Sequence, residues 1–514
     1  MSSQKRAAKK AKTVSTWSSR VDGNCLVTID DSIEFLQTLS NRLFIRSCYH
    51  DLLSLCRDMW TDSQGIFVVG TPGIGKSCFL DYVLHHCLYG TGQNDQQNVL
   101  YLYATKKKAF LFRHNTANTI ITVDAYFLDD YLDWRKEISE DSFDIVLYDP
   151  HEDTARTLDV SIHHMQGKKF IVAVPPDIGN CKKLRKDTAK SGIGTLYMGT
   201  LPSNEAEAMR SSCFATSVSK DLLQRRYRIM GGIPRHLFEP IPRLNDQGDR
   251  AVFAIGQRQA RALKLIAKTP DLIDDGEIAS EFKGLWSLFH LQPLPKEDGG
   301  TNFFRYTIEL ACEDVRIQIR TTLMEKNVND LWKLYINTED RYGTLKGIRY
   351  EAYAHKKILA HGVNSTAVKL IVNGVSTSTS TKKQITIPAS LPEIEIPTND
   401  LQRPSRRVVG DTSGLDTGGY LLPVKSNFPV VDSLYVPGNA GNATDEILCL
   451  QMKAVRSKPL SGESSTIIQA ATEGPLVFVV PDETIVSKKF SYLGDGPAEW
   501  NQYRLVLKEN TRFL

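Results

Sequence analysis

The sequence predicts an α/β fold built on a parallel sheet. Three observations carry this. Residues 65–84 read as a buried strand, a glycine loop and a helix in succession. Strands alternate with helices from about 60 to 200. After about residue 340 the character changes to a second α/β region rich in short strands.

The first of these stretches is GIFVVGTPGIGKSCFLDYVL. Ile66, Phe67, Val68 and Val69 form an unbroken apolar run of the kind a central parallel strand needs. Gly70, Thr71, Pro72, Gly73, Ile74, Gly75, Lys76 and Ser77 then match the pattern G-x-x-x-x-G-K-[ST] at every fixed position. Glycines let backbone amides turn inward as an anion nest, and the following helix adds its positive N-terminal end. Lys76 is expected to reach the terminal phosphates of a nucleoside triphosphate, ATP or GTP, and Ser77 to ligate Mg2+. Phe79, Leu80, Val83 and Leu84 give the helix its apolar face.

Length and composition bound what else the chain can be. Its 514 residues suggest two to four domains, and 41% hydrophobic with 24% charged residues is ordinary for globular protein. A net charge of +4 does not by itself call for nucleic acid, so any such partner must be argued from local patches. The nine cysteines form no C-x-x-C pair, which argues against a zinc module. Several sit in apolar runs, as reduced core thiols do. No apolar run approaches 18 residues and no secretory h-region opens the chain, so neither a membrane span nor a signal peptide is expected.

Residues 1–19 are expected to be a disordered basic tail. Its cluster of Lys5, Arg6, Lys9, Lys10 and Lys12 fits a nuclear-localisation or nucleic-acid-contact segment as well as a solvated tail. A nucleotide-binding domain is expected over 20–240. Helical periodicity runs from Ser32 to Trp60, and strands are expected at Val99–Ala104 and Thr119–Val123, with Lys106–Lys108 as a turn between them. Phe143–Asp149, FDIVLYD, is a hydrophobic strand ending in an acid, the Walker B pattern. Asp149 would hold the magnesium; the alternative is an Asp capping a turn before Pro150. Glu152, ahead of Asp153, is the candidate to polarise the attacking water. Lys169–Val174 is a further core strand, with Asp177 or Asn180 after it as γ-phosphate sensors. Arg225, Arg226 and Arg228 lie on a helix before Gly231-Gly232-Ile233-Pro234-Arg235. Arg235 is a candidate to reach the phosphates from a small lid. Residues 241–340 read as mainly helical, a lid or connector.

The last region, 341–514, opens on a helix from Arg349 to about Ala360 that carries Glu351. Phe428–Val436 contains Asp432, and Ile447–Lys453 sets Gln451 and Lys453 two apart, on one face of a strand. An Asp followed by Q-x-K on the adjacent strand is an arrangement that metal-dependent nucleases use. Asp432, Gln451 and Glu351 would bind a divalent cation and Lys453 would orient the attacking water. Arg456 and Lys458 would hold a phosphate backbone. An α/β domain with charges at strand edges is the competing reading.

The block RDMWTDSQGIFVVGTPGIGKSCFLDYVL, with LPSNEAEAM, YRIMGGIPRH and YTIELACEDVRIQI, resembles the NTPase of the Crinkler and retrotransposon-hot-spot families. The series Glu351, Asp432, Gln451, Lys453 resembles the restriction-endonuclease-like domain that often follows it. The resemblance covers roughly 25–514. It implies an ATP-dependent or ATP-regulated enzyme that cuts DNA in a nucleus, often a host's after secretion. Three features depart from it: no Crinkler N-terminal header is visible, the Walker B strand lacks an immediately adjacent Glu, and Gln451 stands where many relatives carry an acid. A STAND-like NTPase switch, whose C-terminal region binds partners or DNA without cutting, is the alternative. Because many P-loop ATPases complete their site with a neighbour's arginine, a homo-oligomer fits either reading.

Overall fold

The computed structural model describes residues 14–17, 19–28, 42–61, 65–89, 97–103, 108–115, 120–127, 138, 142–150, 168–176, 193–238, 256–257, 259–261, 287–296, 300–338, 343–369, 382–387, 393–396, 419–423, 433–436, 448–452, 476–481 and 502–507. The chain forms two compact units. Unit 1 is Met1–Ala262 with Asp275–Cys312; unit 2 is Leu263–Asp274 with Glu313–Leu514.

Unit 1 begins with β1 (Val14–Trp17), β2 (Ser19–Asp22), β3 (Cys25–Thr28), β4 (Arg42–Phe44) and helix α1 (Ser47–Met59). Then come β5 (Gly65–Val69), α2 (Lys76–Tyr89), β6 (Val99–Tyr103), β7 (Lys108–Asn115), β8 (Ile120–Phe127), β9 (Ile145–Asp149), β10 (Lys169–Val174) and β11 (Ile193–Tyr197). A helical segment follows: α3 (Ser203–Met209), a π-helical turn (Arg210–Phe214), α4 (Lys220–Met230) and α5 (Pro234–Leu237). The unit closes with the hairpin of β12 (Phe289–Pro295) and β13 (Thr301–Leu310).

The main sheet runs β1-β8-β7-β6-β9-β10-β5-β11. The five strands from β6 to β11 in that order are mutually parallel, and β7, β8 and β1 extend the sheet antiparallel. Strand β5 therefore lies inside the sheet, between β10 and β11. Its alternate residues feed two cores. Ile66 and Val68 pack with Leu52, Phe79, Leu80 and Val83 of α1 and α2, whereas Phe67 and Val69 pack with Val172, Tyr197 and Leu291. Burial on both faces is why this strand is apolar at every position rather than alternating.

The structure departs from the sequence expectations in four places, the first being Arg42–Phe44, which lies in the stretch expected to be helical and instead forms strand β4 paired with β3. Val14–Trp17, β-branched and aromatic and within the stretch expected to be a disordered tail, pairs antiparallel with β8 at the sheet edge. Lys108 opens strand β7 rather than closing a turn. The stretch expected to be a helical connector contains the β12–β13 hairpin, whose TNFFRYTIEL is rich in the Thr, Phe, Tyr and Ile that fit a pleated surface. That hairpin belongs to unit 1, and the helices after Cys312 belong to unit 2.

Helix α4 is closed at both ends. Ser219 Oγ accepts the Leu222 N–H at 3.2 Å, and Gly231 ends the helix at φ 65°. A Cβ at Gly231 would stand 2.1 Å from the Ala311 carbonyl oxygen. Gly231→Ala is therefore expected to cost about 3 kcal/mol from positive-φ strain and overpacking together. The shift in denaturant midpoint of the full chain checks this.

Unit 2 contains α6 (Glu313–Met324), α7 (Val328–Ile336) and α8 (Gly343–His361). Its strands are β14 (Val363–Lys369), β15 (Lys382–Ile387), β16 (Glu393–Ile396), β17 (Gly419–Pro423), β18 (Ser433–Val436), β19 (Leu448–Met452), β20 (Leu476–Val480) and β21 (Gln502–Val506). They form one mixed sheet in the order β15-β14-β21-β20-β19-β18-β17-β16. Helix α8 packs on β19, with α6 and α7 against α8. Buried Tyr350, Tyr353, Ile358, Leu450, Val479 and Leu505 belong to its interior.

Candidate nucleotide-binding site

Strand β5 delivers the chain to the loop 70–75, and α2 begins at Lys76. Three glycines are there for space and for backbone angle. A Cβ on Gly70 would lie 2.7 Å from the Met198 carbonyl oxygen. Gly73 and Gly75 take φ of 84° and 101°, which side chains strongly disfavour. A Cβ on Gly75 would sit 2.8 Å from the Tyr49 hydroxyl oxygen.

Three successive loop carbonyls are held by groups outside the loop. Gly73 O accepts from the Arg235 backbone N–H at 3.2 Å, Ile74 O from Arg46 Nη1 at 2.8 Å, and Gly75 O from the Tyr49 hydroxyl at 2.8 Å. In a trans peptide the carbonyl of one residue and the N–H of the next point in opposite directions. Holding these carbonyls therefore turns the amides of Gly75 and Lys76 the other way, as an anion-binding nest requires, while the Ile74 N–H donates to the Thr71 carbonyl at 3.4 Å. Burial keeps the Tyr49 phenol protonated by pushing its pKa well above the ordinary value, so it remains a donor.

Arg46 ties more than the loop. Its Nη2 also donates to the carbonyls of Gly199 (3.2 Å) and Thr200 (2.9 Å), and its Nε lies 3.8 Å from Glu205. At 3% exposure it is a buried cation surrounded by acceptors. Neither Arg46 nor Tyr49 stood out in the sequence. The readable signal was an arginine in an otherwise apolar approach to a helix, Leu43-Phe44-Ile45-Arg46.

The Lys76 ammonium donates to the carbonyls of Gly70 (2.7 Å) and Thr71 (3.2 Å). A phosphate oxygen is a stronger acceptor than either. Ser77 Oγ donates to Asp149 Oδ1 at 3.1 Å. One strand, β10, separates β9 from β5 in the sheet, and α2 brings Ser77 to the carboxyl end of β9. A hydroxyl and a carboxylate at this separation are hard oxygen donors, the set that suits Mg2+. Thr71 is held too, its hydroxyl accepting the Leu291 N–H of the hairpin at 3.0 Å.

The segment Ile233–Arg235 packs tightly on the loop. Gly73 has Arg235 Cβ 3.0 Å from where its own Cβ would be, so α5 lies directly against the loop. Burial, with the charges of Asp81 and Asp149, pushes the Cys78 thiol beside Ser77 up to about 12, and the exposed Arg235 is close enough for its charge to pull against that rise. Arg226 is different from its neighbours: wholly buried, it donates to Leu237 O at 2.8 Å and anchors α4 to the end of α5. Arg225 and Arg228 are exposed. Glu152, Asp153, Asp177 and Asn180 lie outside the described residues.

A second acid sits behind the site. Asp81, one turn beyond Ser77 on α2, is 1% exposed. Burial, reinforced by the Asp149 charge, raises its pKa well above the usual carboxylate value, with the Tyr101 hydroxyl pulling the other way. The native state therefore keeps the proton while the unfolded chain releases it above about 3.8. Stability must fall as pH rises above that value until the folded pKa is passed. Asp81→Asn removes this slope. Its stability relative to wild type is expected to increase between roughly pH 5 and pH 8, read from urea midpoints.

In unit 2, Glu351 lies on α8 and its carboxylate faces cations. Arg320 Nε is 3.5 Å away and Arg316 Nη2 3.9 Å, with His355 Nε2 at 3.9 Å. Burial, then the Arg320 charge, holds His355 well below its ordinary pKa, so it is neutral. Gln451 lies on β19, where it pairs with Phe478 of β20. Strand β18 begins one residue after Asp432, and its first residue, Ser433, pairs with Leu450, next to Gln451. Asp432, Lys453, Arg456 and Lys458 lie outside the described residues. Among the described residues no group of three His, Cys, Asp or Glu could hold a metal ion, and no helix is long and apolar enough to cross a membrane.

No family model matches the chain, and no curated protein matches it. Solved structures that are similar at low scores include the following three. The Hsp104–ADP complex of S. cerevisiae is 12% identical, over 60% of this chain and 46% of that one, with a TM-score of 0.26. The RuvB Holliday-junction branch-migration motor of Thermotoga maritima is 14% identical, over 61% and 88%, at 0.23. A STAND signal-transduction ATPase with a tetratricopeptide-repeat sensor from Pyrococcus horikoshii is 12% identical, over 62% and 50%, at 0.22. The chain spans about half the length of the Hsp104 and STAND chains. By its own strand order and loop geometry, unit 1 has the α/β fold of a P-loop NTPase.

Proposed function

We propose that unit 1 binds and hydrolyses a nucleoside triphosphate, ATP first among them, with Mg2+. The observation that supports this most is the 3.1 Å bond between Ser77 Oγ and Asp149 at the end of the glycine loop. Lys76 would hold the terminal phosphates, and Ser77 and Asp149 the cation, which supplies charge neutralisation across the phosphate oxygens. Arg235, on α5 against the loop, would add a second positive charge to the transferring group. Phosphoryl transfer needs positioning and electrostatics more than covalent chemistry, which is what these residues offer. Phosphate release by the purified full chain, with and without Mg2+, tests the reading. Ser77→Ala and Asp149→Asn should each lower it, and the double variant should be little worse than the worse single one, because the two act on one ion.

A second reading concerns unit 2: a Mg2+-dependent nuclease that cuts DNA under nucleotide control. It is favoured by β18–β19 pairing, which sets the residue after Asp432 opposite the residue before Gln451, and by α8 packing on β19. The ion contacts of Glu351 with Arg316 and Arg320 weigh against that carboxylate as a free metal ligand. A nuclear, effector-like role would follow from the Crinkler and retrotransposon-hot-spot resemblance alone. Plasmid incubated with the full chain, Mg2+ and ATP should be nicked by wild type and left intact by Lys453→Ala. Hydrolysis of ATP with no cutting by wild type would instead favour the STAND-like switch.

A further inference from the structure

The geometry points to Cys25 and Cys213 as the site of a reversible intramolecular disulfide that staples the helical segment of unit 1 to the three-stranded sheet β2-β3-β4. The two residues are 188 apart in sequence, yet their sulfurs are 3.4 Å apart. Closing that gap to a covalent bond needs a movement of about 1.3 Å. Cys25 is buried at the start of β3, opposite Phe44 of β4. Cys213 is half-buried in the π-helical turn, so a small reagent has a way in from that side.

Both anchor points are set in elements that lead to the nucleotide loop. Asn24, next to Cys25, accepts the N–H of Ile45, and Arg46 follows with its bond to Ile74. On the other side, Phe214 stacks on Phe238 at 4.6 Å, just past α5 with its Arg235. A π-helical turn between two α-helices is an uncommon local conformation, and such turns are frequent at functional positions.

The exchange balances with a small-molecule disulfide such as glutathione disulfide as oxidant. The Cys213 thiolate attacks one sulfur, and the first glutathione leaves as a thiolate that takes up a proton. The Cys25 thiolate then attacks the Cys213 sulfur and displaces the second glutathione, which takes up the other. One protein S–S bond forms, one glutathione S–S bond breaks, and two electrons pass from protein to glutathione. Burial, then the Cys25 contact, push the Cys213 thiol up to about 12, while Arg42 pulls it down. Few molecules carry the thiolate at neutral pH, so exchange should take minutes to hours rather than seconds. The pairing does not rest on the nucleotide reading of unit 1.

The test is a glutathione redox series on the folded full-length protein, brought to equilibrium, alkylated and mapped by mass spectrometry. The expected result is a Cys25–Cys213 cross-linked peptide that grows with the disulfide fraction and disappears on adding dithiothreitol. Cys213→Ser should lose it. Amide exchange over 203–230 should slow about tenfold in the oxidised wild type. Three results would overturn the proposal: both thiols still alkylated in the most oxidising buffer, Cys213 stopping at the glutathione adduct, or the cross-link forming between other cysteines such as Cys56 and Cys87.

Discussion

Lys76→Ala is expected to reduce nucleotide hydrolysis by at least about 10²–10³-fold while leaving the fold intact. The ammonium is anchored to the carbonyls of Gly70 and Thr71, at the beginning of the loop it would serve. Its removal deletes the one side-chain cation of the loop itself, but those two acceptors are backbone carbonyls that a water molecule entering the space vacated by the long side chain can satisfy. The thermal midpoint should therefore shift little, by no more than a few degrees. Steady-state phosphate release and a melting curve on one preparation check both halves. Equal loss of activity and stability would mean that Lys76 is a structural residue.

Arg46→Met is expected to show the opposite balance, with a large cost in stability and a loss of nucleotide affinity through the loop. Methionine retains the apolar stem but leaves the carbonyls of Ile74, Gly199 and Thr200 without their donor in a buried place. Glu205 also loses its cation. Hydrogen bonds from a charged donor are worth about 1.5–3 kcal/mol each, and breaking a buried pair on one side costs about 3–5 kcal/mol. Once Ile74 O is released, the Gly75 amide is free to rotate out of the nest, so affinity should fall at least about tenfold, or ~1.4 kcal/mol. Arg46→Lys separates the two effects. A single ammonium can keep one carbonyl but not all three, so it should recover part of the stability and less of the affinity. Urea unfolding and a nucleotide titration on both variants decide it. If affinity is unchanged in a folded Arg46→Met protein, Arg46 does not position the loop.

How much of this was legible beforehand differs by kind of interaction. The loop pattern and Asp149 were readable because G-x-x-x-x-G-K-[ST] restricts each fixed position in residue type, and because β5 is a short apolar run leading straight into the loop while β9 is one that ends on Asp149. Arg235 was readable from the glycines before it, though the structure shows its backbone, not only its charge, in contact with the loop. What could not be read was long-range pairing. Arg46 and Tyr49 meet the loop 26 to 28 residues away. Leu291 meets Thr71 across 220 residues, and Cys25 meets Cys213 across 188. No local period encodes such contacts. The hairpin at 289–310 was missed for a related reason. Charged residues at every few positions suggested helix, whereas the strands are stabilised by each other and by Tyr197 and the loop, which the segment's own sequence does not display. In unit 2 the order of helix and strands followed the sequence: α8 contains Arg349–Ala360, and β18 and β19 fall within the expected runs. The partners of Glu351 did not, because Arg316 and Arg320 come from a different helix.

The central claim is that the loop 70–77, with Asp149, is a working triphosphate site. Titrating ATP into the purified full chain by calorimetry, with Mg2+ and then with a chelator, tests it most directly. The account predicts saturable binding with Kd below about 1 mM, weakened when Mg2+ is removed and lost in Lys76→Ala. Heat signals that do not saturate, or binding that is the same in Lys76→Ala and without Mg2+, would contradict it.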